Sequence, residues 1–214
     1  MNGNGLLDWR KIERLRGLRE TPKDVDVAFV SNVWGGREHN LRLFEELARL
    51  PCSKDLLAIF PPGVPSQEDE ANMARLREQG VPISRVPVPP EELWRRLARA
   101  RLVPLRAGKH LCVSWRMIDL LAMGACIVYD ALPPPKWPEP FEAGREVASC
   151  GIERPDDTGA AAEPEYAKVA PTVEGLLERP DEQQRLRAAA ARYFDKVAAP
   201  GRVAAYMLSR LAGG

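Results

Sequence analysis

The sequence predicts an α/β fold, a doubly wound parallel sheet followed by a helical C-terminal tail. Three observations carry that prediction. Short apolar, β-branched runs alternate with amphipathic stretches between Asp24 and Asp130, the pattern of strands joined by crossover helices. Each run ends on a cluster of turn-forming residues. From Thr172 onward the pattern turns helical and stays so, with one proline break.

Taken in order, residues 1–23 read as a polar leader and a short basic helix, and residues 24–214 as one domain. In "LLDWRKIERLRGLRE", Trp9, Ile12, Leu15 and Leu18 fall on one broad face. That helix either lies on a membrane surface or packs on its own domain. "VDVAFV" (25–30) is the first strand, ending at "SNVWGGREHN", and "LRLFEELARL" the first crossover helix. "DLLAIF" (55–60) and "ISRVPV" (83–88) follow, each succeeded by a helix, "EDEANMARLREQG" and "LWRRLARAR". "LVPLR" (102–106) leads to a helix from Trp115 to Gly124, and "CIVYD" (126–130) is the last expected strand. "ALPPPKWPEP" holds five prolines in ten residues, which excludes helix and central strand. "TVEGLLERPDEQQRLRAAAARYFDKV" is expected to be helical, with a break at Ala199-Pro200 and a final helix to Leu211.

Composition narrows the function classes. Lys and Arg number 31 against 30 Asp and Glu, a net charge of +1, which gives no reason to expect a nucleic-acid partner. The four cysteines, Cys52, Cys112, Cys126 and Cys150, stand far apart with only His39 and His110 beside them, so no metal site is expected. Cys112 and Cys126 read as core residues of a reduced protein. With no signal-like apolar stretch at the N-terminus and no run long enough to span a bilayer, the expected location is cytoplasmic.

In an open α/β sheet, ligands bind beyond the C-terminal ends of the strands. Two loops there carry chemistry. "SNVWGGREHN" joins paired glycines to the cation Arg37, although it is not a G-x-G-x-x-G fingerprint. "RAGKHLCVSWR" offers Lys109, His110, Ser114 and Arg116 ahead of a helix. Ser114 is a plausible N-cap, and the free N–H groups at that helix start suit a phosphate. Asp119 is the lone carboxylate in an otherwise apolar helix and lies three residues from Arg116. It could accept hydrogen bonds from a sugar's paired hydroxyls, or it could pair with Arg116 near the helix start.

"WRMIDLLAMGACIVYD" resembles the C-terminal, donor-binding half of GT-B-fold glycosyltransferases, whose helix reads basic–x–x–acidic–x–x–Ala–x–Gly before a strand. "PEPFEAGREV" and the helical tail from Val173 to Leu211 are similar to the group typified by spore-maturation proteins, including its "F-x-x-G-x-E" element. The likeness runs roughly from Asp24 to Leu211 and is most specific over 115–130. It implies a Rossmann-like domain that binds a nucleotide-diphosphate sugar. Arg116 matches the basic residue near the donor diphosphate, and Asp119 the acidic residue that binds the ribose hydroxyls. Arg37 lies in the region of the second phosphate-contacting cation, and Gly124 matches the glycine that turns the helix into the next strand. The family has Glu where Asp119 stands, one methylene longer. Its retaining members with a paired-Glu motif carry another Glu eight residues earlier, where this sequence has Leu111, which leaves His110 as the polar neighbour and candidate catalytic group.

The expected activity is therefore metal-independent sugar transfer with no cofactor beyond the donor. The family's enzymes have two such α/β domains, and the 23 residues ahead of this one are too few for the other. A partner chain carrying an acceptor domain, a homo-oligomer or a reduced acceptor site is expected to complete the reaction. The alternative is a non-catalytic module that binds a nucleotide or nucleotide sugar, or a structural descendant that binds neither.

Overall fold

The computed structural model of the protein describes residues 9–33, 37–106, 114–131, 139, 142–152 and 163–212. Its centre is a parallel sheet of β1 (Val25–Asn32), β2 (Lys54–Ile59), β3 (Ile83–Ser84), β4 (Ala100–Leu105), β5 (Ile127–Ala131) and β6 (Ala148–Ile152). The order across the sheet is β3-β2-β1-β4-β5-β6, and every neighbouring pair runs parallel. The helix α1 (Trp9–Gly17) precedes β1, and between the strands run α2 (Arg37–Arg49), α3 (Gln67–Glu78), α4 (Pro90–Ala98) and α5 (Trp115–Ala122). After β6 come a 3₁₀ turn (Glu163–Lys168), α6 (Val169–Leu177), α7 (Pro180–Tyr193), a π-helical turn (Phe194–Ala198) and α8 (Pro200–Ala212).

The strands are apolar on successive residues because both faces are covered. Ala28, Val103, Leu105, Ile127 and Tyr129 pack on one face, against α1, α4, α5 and the end of α7. Their neighbours in sequence, Val27, Phe29, Leu102 and Val128, pack on the other, against α2, α3 and α6. Each side chain thus follows the period of two that a strand imposes. The basic N-terminal helix belongs to the first layer. Leu15 is buried in the core, Ile12 and Leu18 pack against it, and Trp9 stays exposed. Packing on its own domain is therefore how α1 is held.

Three departures from the expected elements have local causes. The strand expected over 83–88 pairs at Ile83 and Ser84 alone. The Ser84 hydroxyl accepts the Val86 N–H at 3.0 Å and donates to the Val86 carbonyl at 2.8 Å, curling the chain ahead of Pro87. The long helix expected from Thr172 divides at Arg179, because Pro180 cannot continue α6 and instead opens α7 at its first position. β6 was not expected at all, since Ala148, Ser149, Cys150 and Gly151 have none of the branched residues that mark a strand. The break at Ala199-Pro200 is present, with Ala199 extended at ψ 138° ahead of the proline.

Gly124 ends α5 as its place in the sequence implies. It sits at φ +58°, and the Gly124 and Ala125 N–H groups bond back to the Leu121 and Leu120 carbonyls at 3.1 and 3.0 Å. A Cβ there would also stand 3.3 Å from that of Ala191, so the turn and the packing of α7 both require glycine.

At the opposite edge from the strand C-termini, the Lys23 ammonium donates to the Ala98 carbonyl. Burial, with help from the Arg187 charge, pushes its pKa down from the usual 10.5 to about 8. Between those values the unfolded chain binds a proton at Lys23 that the folded one has released, so the contribution of Lys23 to folding stability rises with pH over that interval. Urea denaturation at pH 7.5, 9 and 10.5 is expected to show wild type gaining stability relative to Lys23→Met as the pH rises, a difference that cancels the opposing titration of the buried thiols Cys126 and Cys150 common to both proteins. An identical pH profile in the variant would mean that Lys23 is solvated as in the unfolded chain.

Candidate functional site

From β1 the chain steps outward in one direction through β2 and β3, and from β4 in the other through β5 and β6. The order reverses between β1 and β4, which opens a crevice above their C-terminal ends, the place where such sheets bind ligands. Val30, Ser31 and Asn32 end β1, and α5 starts beyond β4 with Ser114 as its cap. The Ser114 hydroxyl accepts the Arg116 N–H at 3.3 Å. On the β1 side, Asn40 of α2 is buried and its amide donates to the Asn32 carbonyl at 2.6 Å, which fixes the strand's last turn.

Arg116 crosses this crevice. It leaves the second residue of α5 and its guanidinium donates to the Val30 carbonyl of β1. Among the described residues no carboxylate lies within ion-pair distance of it. Burial of the guanidinium pushes its pKa down, opposed by the charge of Asp119, and an arginine so placed stays protonated. The outcome is a desolvated cation at the mouth of the sheet with one of five N–H donors committed to a carbonyl, beside the amide-rich start of a helix. Both features attract an anion, and a guanidinium matches the oxygens of a phosphate in pairs.

Asp119 stands one turn further along α5 and faces elsewhere. Its Oδ2 accepts the Trp94 indole N–H from α4 at 3.0 Å, and its Oδ1 pairs with the Lys11 ammonium from α1 at 2.7 Å. Lys11 lies over the Trp94 ring, 5.3 Å from its centroid, closing a three-membered cluster. The Asp119–Arg116 ion pair considered from sequence is not formed.

Of the other expected site residues, Arg37 is the first residue of α2, directly above β1. Lys109, His110 and the Arg37 side chain lie outside the described residues. His39, on the same turn of α2, is buried with Nδ1 3.0 Å from the Tyr166 hydroxyl. Of the "F-x-x-G-x-E" element, Phe141 lies outside the described residues, and residues 142–146 form a tight turn before β6. Gly144 sits at φ +80°, and the buried Glu146 carboxylate accepts the Glu142 N–H at 2.8 Å and an Arg145 bond. Among the described residues no cluster of His, Cys, Asp and Glu could hold a metal ion, and no helix is long and apolar enough to cross a membrane.

No protein-family model and no curated protein matches the sequence. Solved structures do match the fold. The sucrose-phosphate synthase of Thermosynechococcus elongatus superposes with a TM-score of 0.61 at 11% identity, over 94% of this chain and 49% of that one. The C-terminal domain of LpcC, a group 1 family glycosyl transferase of Francisella tularensis, gives 0.56 at 8% identity, over 85% of this chain and 89% of the domain. Anabaena HepE, in complex with UDP and glucose, gives 0.55 at 13% identity, over 94% of this chain and 52% of HepE. The chain thus spans about half the length of the synthase and of HepE, and nearly all of the isolated LpcC domain. Its fold is the Rossmann-like half-domain of the GT-B glycosyltransferases.

Proposed function

We propose that this half-domain binds a nucleotide-diphosphate sugar across the crevice between β1 and β4 and acts as the donor side of a sugar transfer. The observation that carries the reading is Arg116. A largely desolvated guanidinium with no carboxylate partner among the described residues, reaching across the point where the strand order reverses, is placed for a diphosphate. In transfer, the bond from the anomeric carbon to the diphosphate breaks and one to the acceptor oxygen forms, while the acceptor loses its proton. Arg116 and the start of α5 would neutralise the charge that grows on the departing diphosphate. The sequence adds Arg37 and Lys109 as further cations, His110 as the candidate base and Asp119 as the acceptor for the ribose hydroxyls. The basic–x–x–acidic pattern and the turn around Glu146 support membership of the spore-maturation-type group. The acceptor would come from a partner chain, a second copy or a reduced site.

A second reading, a module that binds the nucleotide without transferring the sugar, is favoured by the saturation of Asp119 by Lys11 and Trp94. Calorimetric titration of the chain with UDP, GDP, ADP and TDP tests what both readings share. One of the four is expected to bind. Failure of all four would remove nucleotide binding from the account. Release of free sugar from the matching donor by the chain alone would favour transfer over the module.

A further inference from the structure

Arg116 and Asp119 lie three residues apart on one helix, yet the first reaches the crevice and the second is closed off. Lys11 covers Asp119 from α1, and both side chains keep under a fifth of their surface, 19% and 16%. The space left beside them is a cleft of about 10 Å³ lined by Ile12, Leu15, Ile118, Phe194 and Pro200. That is room for about one water and not for a ribose ring. A carboxylate has about four acceptor positions, and Lys11 and Trp94 take one on each oxygen. Chemistry would let Asp119 accept two hydroxyls more, but the position of α1 does not.

The two ends of α1 are held very differently. Its last turn is anchored, with Leu15 in the core and Arg16, joined by Arg19 just beyond the helix, bonded to Asp195 at 2.8 to 3.1 Å. Its first turn has Trp9 exposed at 66% and is held by Lys11 on Asp119 and Trp94 and by the partly buried Ile12. The start of the helix thus has fewer ties to the core than its end, and Lys11 is a charged one among them.

Resting on the reading of Asp119 as the ribose acceptor, we propose that α1 is an autoinhibitory strap whose Lys11 competes with the ribose hydroxyls for the Asp119 carboxylate. A nucleotide pairs with Asp119 only in the fraction of molecules in which Lys11 has let go. Its apparent affinity is lowered by that fraction. Lys11→Met removes the charge and keeps the apolar stem on Trp94, and Lys11→Gln is the second variant should the first fold poorly.

The test compares wild type and Lys11→Met in calorimetric titrations with the nucleoside diphosphate that binds, and with its 2′,3′-dideoxy analogue. The expected result is roughly tenfold tighter binding of the ribonucleotide by the variant, and no change for the dideoxy analogue, which offers Asp119 no hydroxyls. Unchanged or weaker ribonucleotide binding would overturn the strap and leave the nucleotide site standing. Equal tightening for both ligands would overturn it as well, because Lys11 would then act on something other than the hydroxyls. If no nucleoside diphosphate binds either protein, the strap and the site fall together.

Discussion

Replacing Arg116 by Met is expected to weaken nucleoside-diphosphate binding by about a hundredfold while leaving folding stability unchanged or higher. The two effects have one cause. The folded protein holds the guanidinium largely out of water, against a carbonyl and, among the described residues, no carboxylate. Desolvation of such a cation costs more than a single neutral acceptor returns, and an apolar side chain of similar length removes that cost. A bound diphosphate would supply the missing charge through paired, charge-assisted hydrogen bonds, worth about 1.5–3 kcal/mol each. Titration and urea denaturation of the same variant measure the two sides. A destabilised variant that still bound its nucleotide would make Arg116 a strut between α5 and β1.

Asp119→Ala is expected to behave in the opposite way, lowering stability by about 2–3 kcal/mol. The carboxylate holds together α1, α4 and α5 through Lys11 and Trp94. Its loss strands an ammonium that is four-fifths covered and an indole N–H with no other acceptor among the described residues. For a chain of this size the Tm would fall by about 5–10 °C. Much of that loss should vanish when the substitution is made in Lys11→Met, because the two side chains share one interaction. A stability unaffected by Asp119→Ala would mean that the three-membered cluster does not hold in solution. Nucleotide binding should weaken too, so the variant separates from Arg116→Met by its stability and not by its affinity.

The contrast between these residues marks how far the sequence could be read. The start of α5 was legible, since a serine cap following a strand and leading an apolar helix is a local pattern, and the strand-end rule places a ligand there. Arg116 was found that way. Its partner was not, because Val30 lies 86 residues away and is chosen by the pairing of β1 with β4. For Asp119 the spacing of three suggested Arg116, whereas Trp94, 25 residues back, and Lys11 in the leading helix hold it instead. A helix spacing says which side chains start on one face but not where they end. The strands with Val, Ile and Leu declared themselves, and β6 did not because Ala, Ser, Cys and Gly carry no such signal. Lys11 read as one more cation on a basic helix, and nothing in its neighbourhood marks it from Arg10 or Arg14.

The pairing of β1 with β4 also sets an order in time. β1 meets β2 along six residues, Val27 with Lys54 through Asn32 with Ile59, soon after a single helix has been made. It meets β4 only when Val25 finds Ala100 and Val27 finds Leu102, after two more helices and one more strand. Closing that longer loop costs more chain entropy before any contact rewards it, so it comes late in folding. During synthesis, the first half can form a β1–β2 layer whose inner edge, the future floor of the crevice, stays unpaired until β4 has left the ribosome. That edge is then an open template for another strand. A slow-growing nascent chain is most exposed to misassembly at the same seam where the finished protein is built to take up its ligand.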